Sequence, residues 1–236
     1  MQDDHFVDVY RRKARAYEQM INAEDIDGNL TKTLKRLVDF SAGPVLDLGS
    51  GTGRLPQLLH RQTAGIALDL HWDMLLENRR QQRDQRFHWP LLQGDLHHLP
   101  FTNHCARIIT AGWAIGHFCG WYDREWRAHV ERALSEILRV ASAGADILIM
   151  ETLGTGVQQP GAPDARLASY YRLLEEVWGF ERYEVSTDYL FSTVEEAVEA
   201  TAFFFGQSLV EEIRRQQWQR IPEWTGVWRL RLGDAM

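Results

Sequence analysis

The sequence predicts an α/β fold built on a mostly parallel sheet, because one stretch reads as a buried strand, a glycine turn and the start of a helix. Residues 45–48 form a short, mainly apolar run, as expected for a central parallel strand covered on both faces. Glycines stand at positions 49, 51 and 53, and leucines at helical spacing occupy 55, 58 and 59. Pro56 fits only in the first turn of that helix. The glycines predict a turn with positive φ angles or close approach to a ligand, beside the free amides of a helix start.

The composition predicts one well-packed domain with room for a small cap. The chain has 236 residues, of which 44% are hydrophobic. A net charge of −7 and a pI near 5.7 argue against a broad nucleic-acid-binding surface. Cys105 and Cys119 are too few for a disulfide framework and lack metal spacing, so we expect reduced core residues and no metal. No apolar run is long enough to cross a membrane, and the expected location is the cytoplasm.

The glycine turn fits one of three familiar ligand-binding loops. A phosphate-binding loop ends in Gly-Lys-Ser/Thr, and no lysine follows Gly53. A dinucleotide-binding turn requires a third glycine where this chain has Arg54. The remaining pattern is an acidic residue followed by Gly-x-Gly-x-Gly, which Asp47 opens. It resembles motif I of the class I S-adenosylmethionine-dependent methyltransferases; the alternative is an ordinary tight turn between a strand and a helix.

The resemblance covers residues 41–151 and implies a complete fold. The family has a Rossmann-like three-layer sandwich with a seven-stranded, mostly parallel sheet, an antiparallel last strand and a helical cap. We therefore expect a single domain over residues 1–236, with cap elements near 1–28, 157–178 and 193–220. In the family the glycine turn wraps the methionine part of S-adenosylmethionine, which implies five cofactor-binding residues here: Asp47, Gly49, Ser50, Gly51 and Gly53.

The second strand, predicted at 65–69, ends in an acidic residue. A carboxylate about twenty positions beyond the first strand is placed to accept hydrogen bonds from both hydroxyls of a ribose. The stretch is similar to the Gly-x-Asp-x-Ser-x-x-Met-Leu signature of the family, with His71 where Ser is common. The resemblance places Asp69 on the ribose, Leu70 against the adenine and Met74 in the cofactor site. The alternative for Asp69 is a helix N-cap.

The segment after the third strand resembles the Gly-Asp-x-x-x-Leu-Pro-Phe element of the family. The resemblance assigns adenine contacts to Asp95 and Leu96. The adjacent His97 and His98 are poor metal ligands without further partners, so we interpret them as a solvated loop or a substrate rim.

The fourth strand, predicted at 107–111, leads into a loop where an acceptor would meet the cofactor. Ala111 is a cofactor contact by resemblance. Ligands of doubly wound sheets bind outside the carboxyl ends of the strands, which brings Trp113 and His117 to the candidate site. His117 is either a general base or a buried structural histidine. Trp113 either shapes an apolar acceptor pocket or fills the core.

The flanks match the family only in outline. Within a helix over 6–22, Ala14 and Tyr17 resemble a pattern that folds over the cofactor, although Glu18 replaces the usual aspartate; core packing is the alternative. Glu151 and Tyr171 are candidates for the substrate rim. We predict the remaining helices at 29–40, 123–140 (stopped by Gly144), 164–178 and 192–218 (broken at Gly206), and strands at 146–151, 180–190 and 225–232. The aromatic cap helices either cover an acceptor or pack against the sheet or a second subunit, so a homodimer is possible.

These features predict methyl transfer from S-adenosylmethionine to a small-molecule acceptor through an O, N, S or C nucleophile. His117 is the first candidate base, with Tyr17 and Tyr171 as weaker ones. The acidic charge and the aromatic residues favour a metabolite over nucleic acid. Two alternatives remain: a methyltransferase acting on RNA or protein, and a non-catalytic protein that binds S-adenosylmethionine.

Overall fold

A seven-stranded sheet forms the centre of the chain in the computed structural model, which describes residues 20–233. Its strands are β1 Val45–Leu48, β2 Gly65–Asp69, β3 Leu91–Gln93, β4 Ala106–Gly112, β5 Ala141–Thr155, β6 Glu181–Ser186 and β9 Glu223–Arg231. Two short strands, β7 Tyr189–Leu190 and β8 Arg220–Ile221, pair separately.

The strand order β3-β2-β1-β4-β5-β9-β6 places β1 and β4 side by side at the centre of the sheet. Strands β1 to β5 are parallel, and β9 lies antiparallel between β5 and β6. This arrangement confirms the predicted seven-stranded sheet with an antiparallel last strand. From β1 the chain adds β2 and β3 on one side, and it then crosses to add β4 and β5 on the other side of β1. The strand order therefore reverses between β1 and β4, which opens a crevice at their carboxyl ends.

Helices cover both faces of the sheet. They are α1 Asn29–Leu37, α2 Arg54–Leu59, α3 Trp72–Asp84, α4 Phe118–Trp121, α5 Trp126–Val140, α6 Ala165–Arg172, α7 Val194–Phe205 and α8 Gln207–Gln216. Single 3-10 turns lie at Phe40–Ala42, Ile115–His117 and Asp123–Glu125, and a π-helical turn at Leu173–Val177 follows α6. On one face α5 packs against Leu46 and Leu48, and on the other α1 packs against Val45. No helix within residues 20–233 has the length and hydropathy to span a bilayer.

Two of the predicted strands, 146–151 and 180–190, differ from the structure by more than two residues. The helix α5 ends at Val140, and β5 starts at Ala141, so Gly144 (φ 66°) lies inside the strand and does not stop the helix. The predicted strand over 180–190 is two strands, because the chain leaves the main sheet after Ser186 and pairs Tyr189 with Ile221 in the small sheet.

The cap region contains a separate apolar cluster. Helices α7 and α8, β7 and β8 pack there around Met20 and Ile21. Thr193 caps α7 by accepting a hydrogen bond from the Glu196 amide at 3.0 Å, and Gly206 (φ 78°) separates the two helices, as predicted. The three phenylalanines at 203–205 are partly buried in this cluster.

The prediction for the cysteines is half correct. Cys119 is buried, and burial raises the pKa of its thiol to about 12. Cys105 is exposed at the start of β4, so it is not a core residue.

We expect the inserted strand β9 to be essential for stability. Trp228 on β9 is fully buried and donates a hydrogen bond from Nε1 to Glu175 at 2.9 Å. Trp228→Ala should lower the free energy of unfolding by about 3–5 kcal/mol. Trp72→Ala is the matched control, because Trp72 is 46% exposed; it should cost about 1 kcal/mol or less. Urea denaturation of both variants measures the difference, and equal losses would contradict the role given to β9.

Candidate functional site

A narrow cleft opens at the carboxyl ends of β1, β2 and β4. Its cavity has a volume of about 80 Å³. Seven of the predicted site residues line it: Gly49, Ser50, Gly51, Asp69, Met74, Trp113 and His117. Five lining residues were not predicted: Ile21, Thr52, Arg54, Gly112 and Ala114. A wider groove of about 510 Å³, lined by residues 35–41 and Gln62, lies at the amino end of β1, away from the glycine turn.

The glycine turn is fixed by close packing. Gly49 has φ 67°, and a Cβ atom there would lie 2.4 Å from the Cβ of Ala114. The Ser50 amide donates to the Leu68 carbonyl at 2.9 Å, which ties the turn to the end of β2. Gly51 also has a positive φ, of 54°. A side chain at Gly49 would therefore collide with the loop after β4 and strain the backbone.

Asp69 closes the turn from the side of β2. Its carboxylate accepts from the Gly51 amide at 2.8 Å through Oδ2 and from the His71 amide at 2.8 Å through Oδ1. Burial raises its pKa, although these hydrogen bonds oppose the shift. Asp69 does not cap α3, whose N-cap is His71 with no side-chain bond. Each carboxylate oxygen has a second lone pair for a ligand hydroxyl.

Asp47 lies behind the turn and does not line the cleft. Its Oδ1 accepts from the Thr110 hydroxyl at 2.7 Å, which joins β1 to β4. Its Oδ2 is buried and has no hydrogen-bond partner among residues 20–233. Burial raises the pKa of Asp47 to about 7, the Thr110 bond opposes the shift, and the Asp69 charge adds to it. Asp47 therefore braces the strands that carry the turn.

His117 faces the cleft as a neutral imidazole. Its ring stacks on Trp121 with centroids 5.2 Å apart and is hydrogen-bonded to the backbone of Trp113. Burial and, secondarily, the nearby His71 lower its pKa to about 4. The imidazole is therefore unprotonated at pH 7 and has a free proton-accepting form, although the lowered pKa makes it a weaker base than an ordinary histidine.

Trp113 and Arg54 together form one wall of the cleft. Trp113 was predicted from the sequence as a site residue, whereas Arg54 was not. Trp113 has φ 51°, rare for a bulky residue, and its amide donates to Met150 at 2.6 Å. The Arg54 guanidinium lies 4.0 Å from the centroid of the indole and pairs with Glu24 at 2.8 Å. The sequence signal for Arg54 was its position directly after the last glycine of the turn.

Comparison with known proteins identifies the family. A model described as a methyltransferase domain matches residues 45–144. Demethylmenaquinone methyltransferase of Lactobacillus johnsonii is 30% identical over 177 residues, which cover 70% of this chain and 67% of that relative. The chain belongs to the class I S-adenosylmethionine-dependent methyltransferases.

This methyltransferase is also similar to a second relative and to a solved structure. Malonyl-[acyl-carrier protein] O-methyltransferase of Pectobacterium atrosepticum is 27% identical over 149 residues, 63% of this chain and 53% of the relative. The chain therefore spans about half the length of that relative and two thirds of the quinone methyltransferase. The YcgJ protein of Bacillus subtilis has the same fold, with a TM-score of 0.57, 13% identity, and coverage of 87% of this chain and 98% of that one.

The residues of the turn suit the cofactor of the family. Asp69 presents a buried carboxyl at the cleft wall, where two ribose hydroxyls are able to donate to it. Gly51 leaves space that a side chain would reduce, because its Cβ would lie 3.5 Å from the methyl of Met74.

The remaining predicted residues of the methyltransferase lie outside the cleft lining. Leu70 is 46% exposed beside Asp69, whereas Leu96 and Ala111 are buried in the core. Gly53 (φ 98°) precedes α2 and packs against the side chain of Asn78. Asp95 follows β3, with its side chain 46% exposed. Tyr17 lies outside the described residues, and its role stays a prediction.

Glu151 and Tyr171 are buried and do not form a rim. Glu151 accepts from the Gly116 amide at 2.8 Å and from Tyr170 at 3.3 Å, and burial raises its pKa to about 8. The hydroxyl of Tyr171 donates to the Thr152 carbonyl at 2.6 Å, and burial raises its pKa. A buried phenol with a raised pKa is a poor base, so Tyr171 does not support the proton-accepting role predicted for it.

The raised pKa of Asp47 should make stability depend on pH. The folded chain keeps this proton up to about pH 7, whereas the unfolded chain loses it near the ordinary aspartate pKa of 3.8. The folded state therefore binds more protons in this window, and stability falls as pH rises through it. In Asp47→Asn, the stability lost between pH 5 and pH 7.5 should be smaller by about 2–3 kcal/mol.

Urea denaturation at the two pH values measures this difference. Asp73→Asn is the control, because Asp73 is exposed in the first turn of α3 and its substitution should leave the pH dependence unchanged. An Asp47→Asn variant with the pH dependence of the native chain would show that Asp47 is ionised in the fold.

Proposed function

We propose that this chain transfers a methyl group from S-adenosylmethionine to a small molecule with a nucleophilic O, N, S or C atom. The observation that carries the proposal is the position of His117: a neutral imidazole faces the same cleft as the glycine turn and Asp69. A proton acceptor and a nucleoside site thus share one cavity.

The residues of the cleft divide the cofactor between them. The amides and small side chains of the glycine turn would hold the methionine part, and Asp69 the ribose. When bound, S-adenosylmethionine supplies an electrophilic methyl on a sulfonium whose thioether leaves as a neutral group. The protein must therefore mainly align the acceptor and exclude water. Trp113 and Ile21 provide apolar surface for this alignment, and Arg54 holds the indole in place.

His117 would remove the proton of an acceptor that ionises during attack. Its low pKa keeps the imidazole unprotonated over the whole physiological range. The contact with Trp121 and the hydrogen bond to the Trp113 backbone fix the orientation of the His117 ring. The ring therefore loses little rotational freedom when the reaction takes place.

The nature of the relatives supports a metabolite acceptor. One relative is named for demethylmenaquinone and the other for a malonyl group on a carrier protein. The net charge of −7 disfavours binding to a polyanion, and the aromatic wall at Trp113 favours a planar or apolar acceptor. We place α6, α7 and α8 as a cap beside this acceptor side.

Cofactor binding is the first test of the proposal. Calorimetric titration with S-adenosylhomocysteine should show micromolar binding to the native chain, and Asp69→Ala should weaken it about tenfold or more, about 1.4 kcal/mol. Asp73→Ala is the control, because its carboxylate is exposed four residues further along the chain. No binding by the folded native chain would overturn the proposal, and binding without turnover of any acceptor would favour a non-catalytic protein.

Loss of the imidazole should affect turnover and not cofactor affinity. His117→Gln should lower kcat by about 10²–10⁴-fold for an acceptor that loses a proton, with unchanged affinity for S-adenosylhomocysteine. In the native chain the acid limb of kcat/KM should fall near pH 4, where His117 becomes protonated. The assay is formation of S-adenosylhomocysteine with a panel of quinols, phenols, amines and thiols. A limb near the ordinary histidine pKa, or turnover of RNA alone, would contradict the assignment.

A further inference from the structure

Three side chains next to the cleft form a hydrogen-bonded chain that the proposed reaction leaves unexplained. Oδ1 of Asp95 accepts from the His97 amide at 2.9 Å and lies 2.7 Å from Nδ1 of the same residue. Nε2 of His97 lies 3.1 Å from Nδ1 of His129, on α5. The chain therefore runs from a carboxylate through two imidazoles.

The two adjacent histidines have different environments, whereas the sequence predicted one setting for both, a solvated loop or a substrate rim. The His97 side chain is 11% exposed, and its ring stacks on Phe118 with centroids 4.7 Å apart. His98 is exposed, and its Nδ1 lies 3.1 Å from a guanidinium nitrogen of Arg132. Only His97 contacts the Asp95 side chain through its ring.

Aromatic packing and a backbone contact prevent the two imidazoles from turning away. His129 stacks on Tyr122 with ring centroids 3.4 Å apart, and His97 meets the edge of the same phenol at 5.9 Å. Arg132 donates from Nε to the His97 carbonyl at 3.0 Å. The charged side chains that contact this pair of imidazoles within residues 20–233 are thus Asp95 and Arg132, and the Tyr122 phenol lies beside them.

The contacts determine which nitrogens carry protons. A carboxylate only accepts hydrogen bonds, so Nδ1 of His97 is the donor to Asp95. In that tautomer Nε2 of His97 accepts from Nδ1–H of His129. Within residues 20–233 the Asp95 carboxylate is held through Oδ1, and its side chain is 46% exposed, which leaves Oδ2 accessible to a ligand.

Asp95 lies one strand beyond the ribose carboxylate. Gln93 is the register partner of Asp69, and the Gly94 amide donates to the Asp69 carbonyl at 3.0 Å. A nucleoside whose ribose binds Asp69, with its other end on the glycine turn of β1, must extend its base towards β3. The base would therefore reach the position of Asp95.

We propose that His97, held by His129, is a positioning residue that aims Oδ2 of Asp95 at the exocyclic amino group of the cofactor's adenine. The bond selects a 6-aminopurine over a purine with a carbonyl at that position, because a carboxylate accepts from an amino group and repels a carbonyl oxygen. The inference rests on the proposed binding of S-adenosylmethionine.

The test compares S-adenosylhomocysteine with S-inosylhomocysteine, which has a carbonyl in place of the amino group. Titration calorimetry on the full chain should show that His97→Phe lowers the preference for the adenine ligand about fivefold or more, since the ring still stacks but no longer donates to Asp95. The affinity for the inosine ligand should change less than about twofold. His98→Phe is the matched control and should keep the native preference, whereas Asp95→Asn should lose it.

Each outcome is decisive. If Asp95→Asn alters the preference and a folded His97→Phe does not, His97 has no positioning role. If neither variant alters it, Asp95 does not meet the base. Native chain that binds neither ligand overturns the proposed function itself.

Long-range ¹H–¹⁵N correlation spectra of the histidine rings provide a measurement that does not require a variant to fold. We expect His97 as the Nδ1–H tautomer in the native chain. An Nε2–H tautomer would overturn the proposal even if the cofactor binds.

Discussion

The hydrogen bond from the Gly51 amide to the Asp69 carboxylate is the contact on which the cleft depends. It joins the glycine turn after β1 to the end of β2 at 2.8 Å, in a place where Asp69 is only 7% exposed. The same carboxylate receives the His71 amide, so one side chain fixes both the turn and the start of α3. In low dielectric such a bond is strong, and its loss would leave a buried charge. The group that would bind the ribose is thus also the group that shapes its own site.

Burial also shifts the pKa values of several ionisable groups elsewhere in the described part of the chain towards their neutral forms. Burial raises the pKa values of Asp47, Glu151 and Glu223 and lowers that of His117. A carboxylic acid that stays protonated costs less to bury than a charge, and it is able to donate a hydrogen bond.

The local sequence pattern predicted the bounds of the central strands correctly, but it did not predict where a longer strand begins. The bounds of β1 and β2 match the prediction, because short apolar runs bounded by Gly and Asp define both ends. The break between two helices at Gly206 was also correct, since a glycine that ends a helix is a local signal. The start of β5 at Ala141 was missed, because Gly144 suggested the end of the preceding helix. In the structure Ala141 pairs with Ala106 of β4, so the residues just before Gly144 belong to the strand. Cross-strand pairing of this kind has no local signal.

The sequence by itself determined the family, the sheet and the seven cleft residues near the glycine turn, because they lie at strand ends whose spacing along the chain is short. Only the tertiary structure decided which titratable groups are buried. The sequence does not distinguish His97 from His98, yet His129, 32 positions away, contacts only His97 of the two. Glu151 looked like a rim residue until the Gly116 amide, 35 positions away, was found on its carboxylate. The burial and the hydrogen-bond partners of these side chains arise from contacts between segments that are distant in sequence. The periodicity of hydrophobic residues along the chain does not predict such contacts.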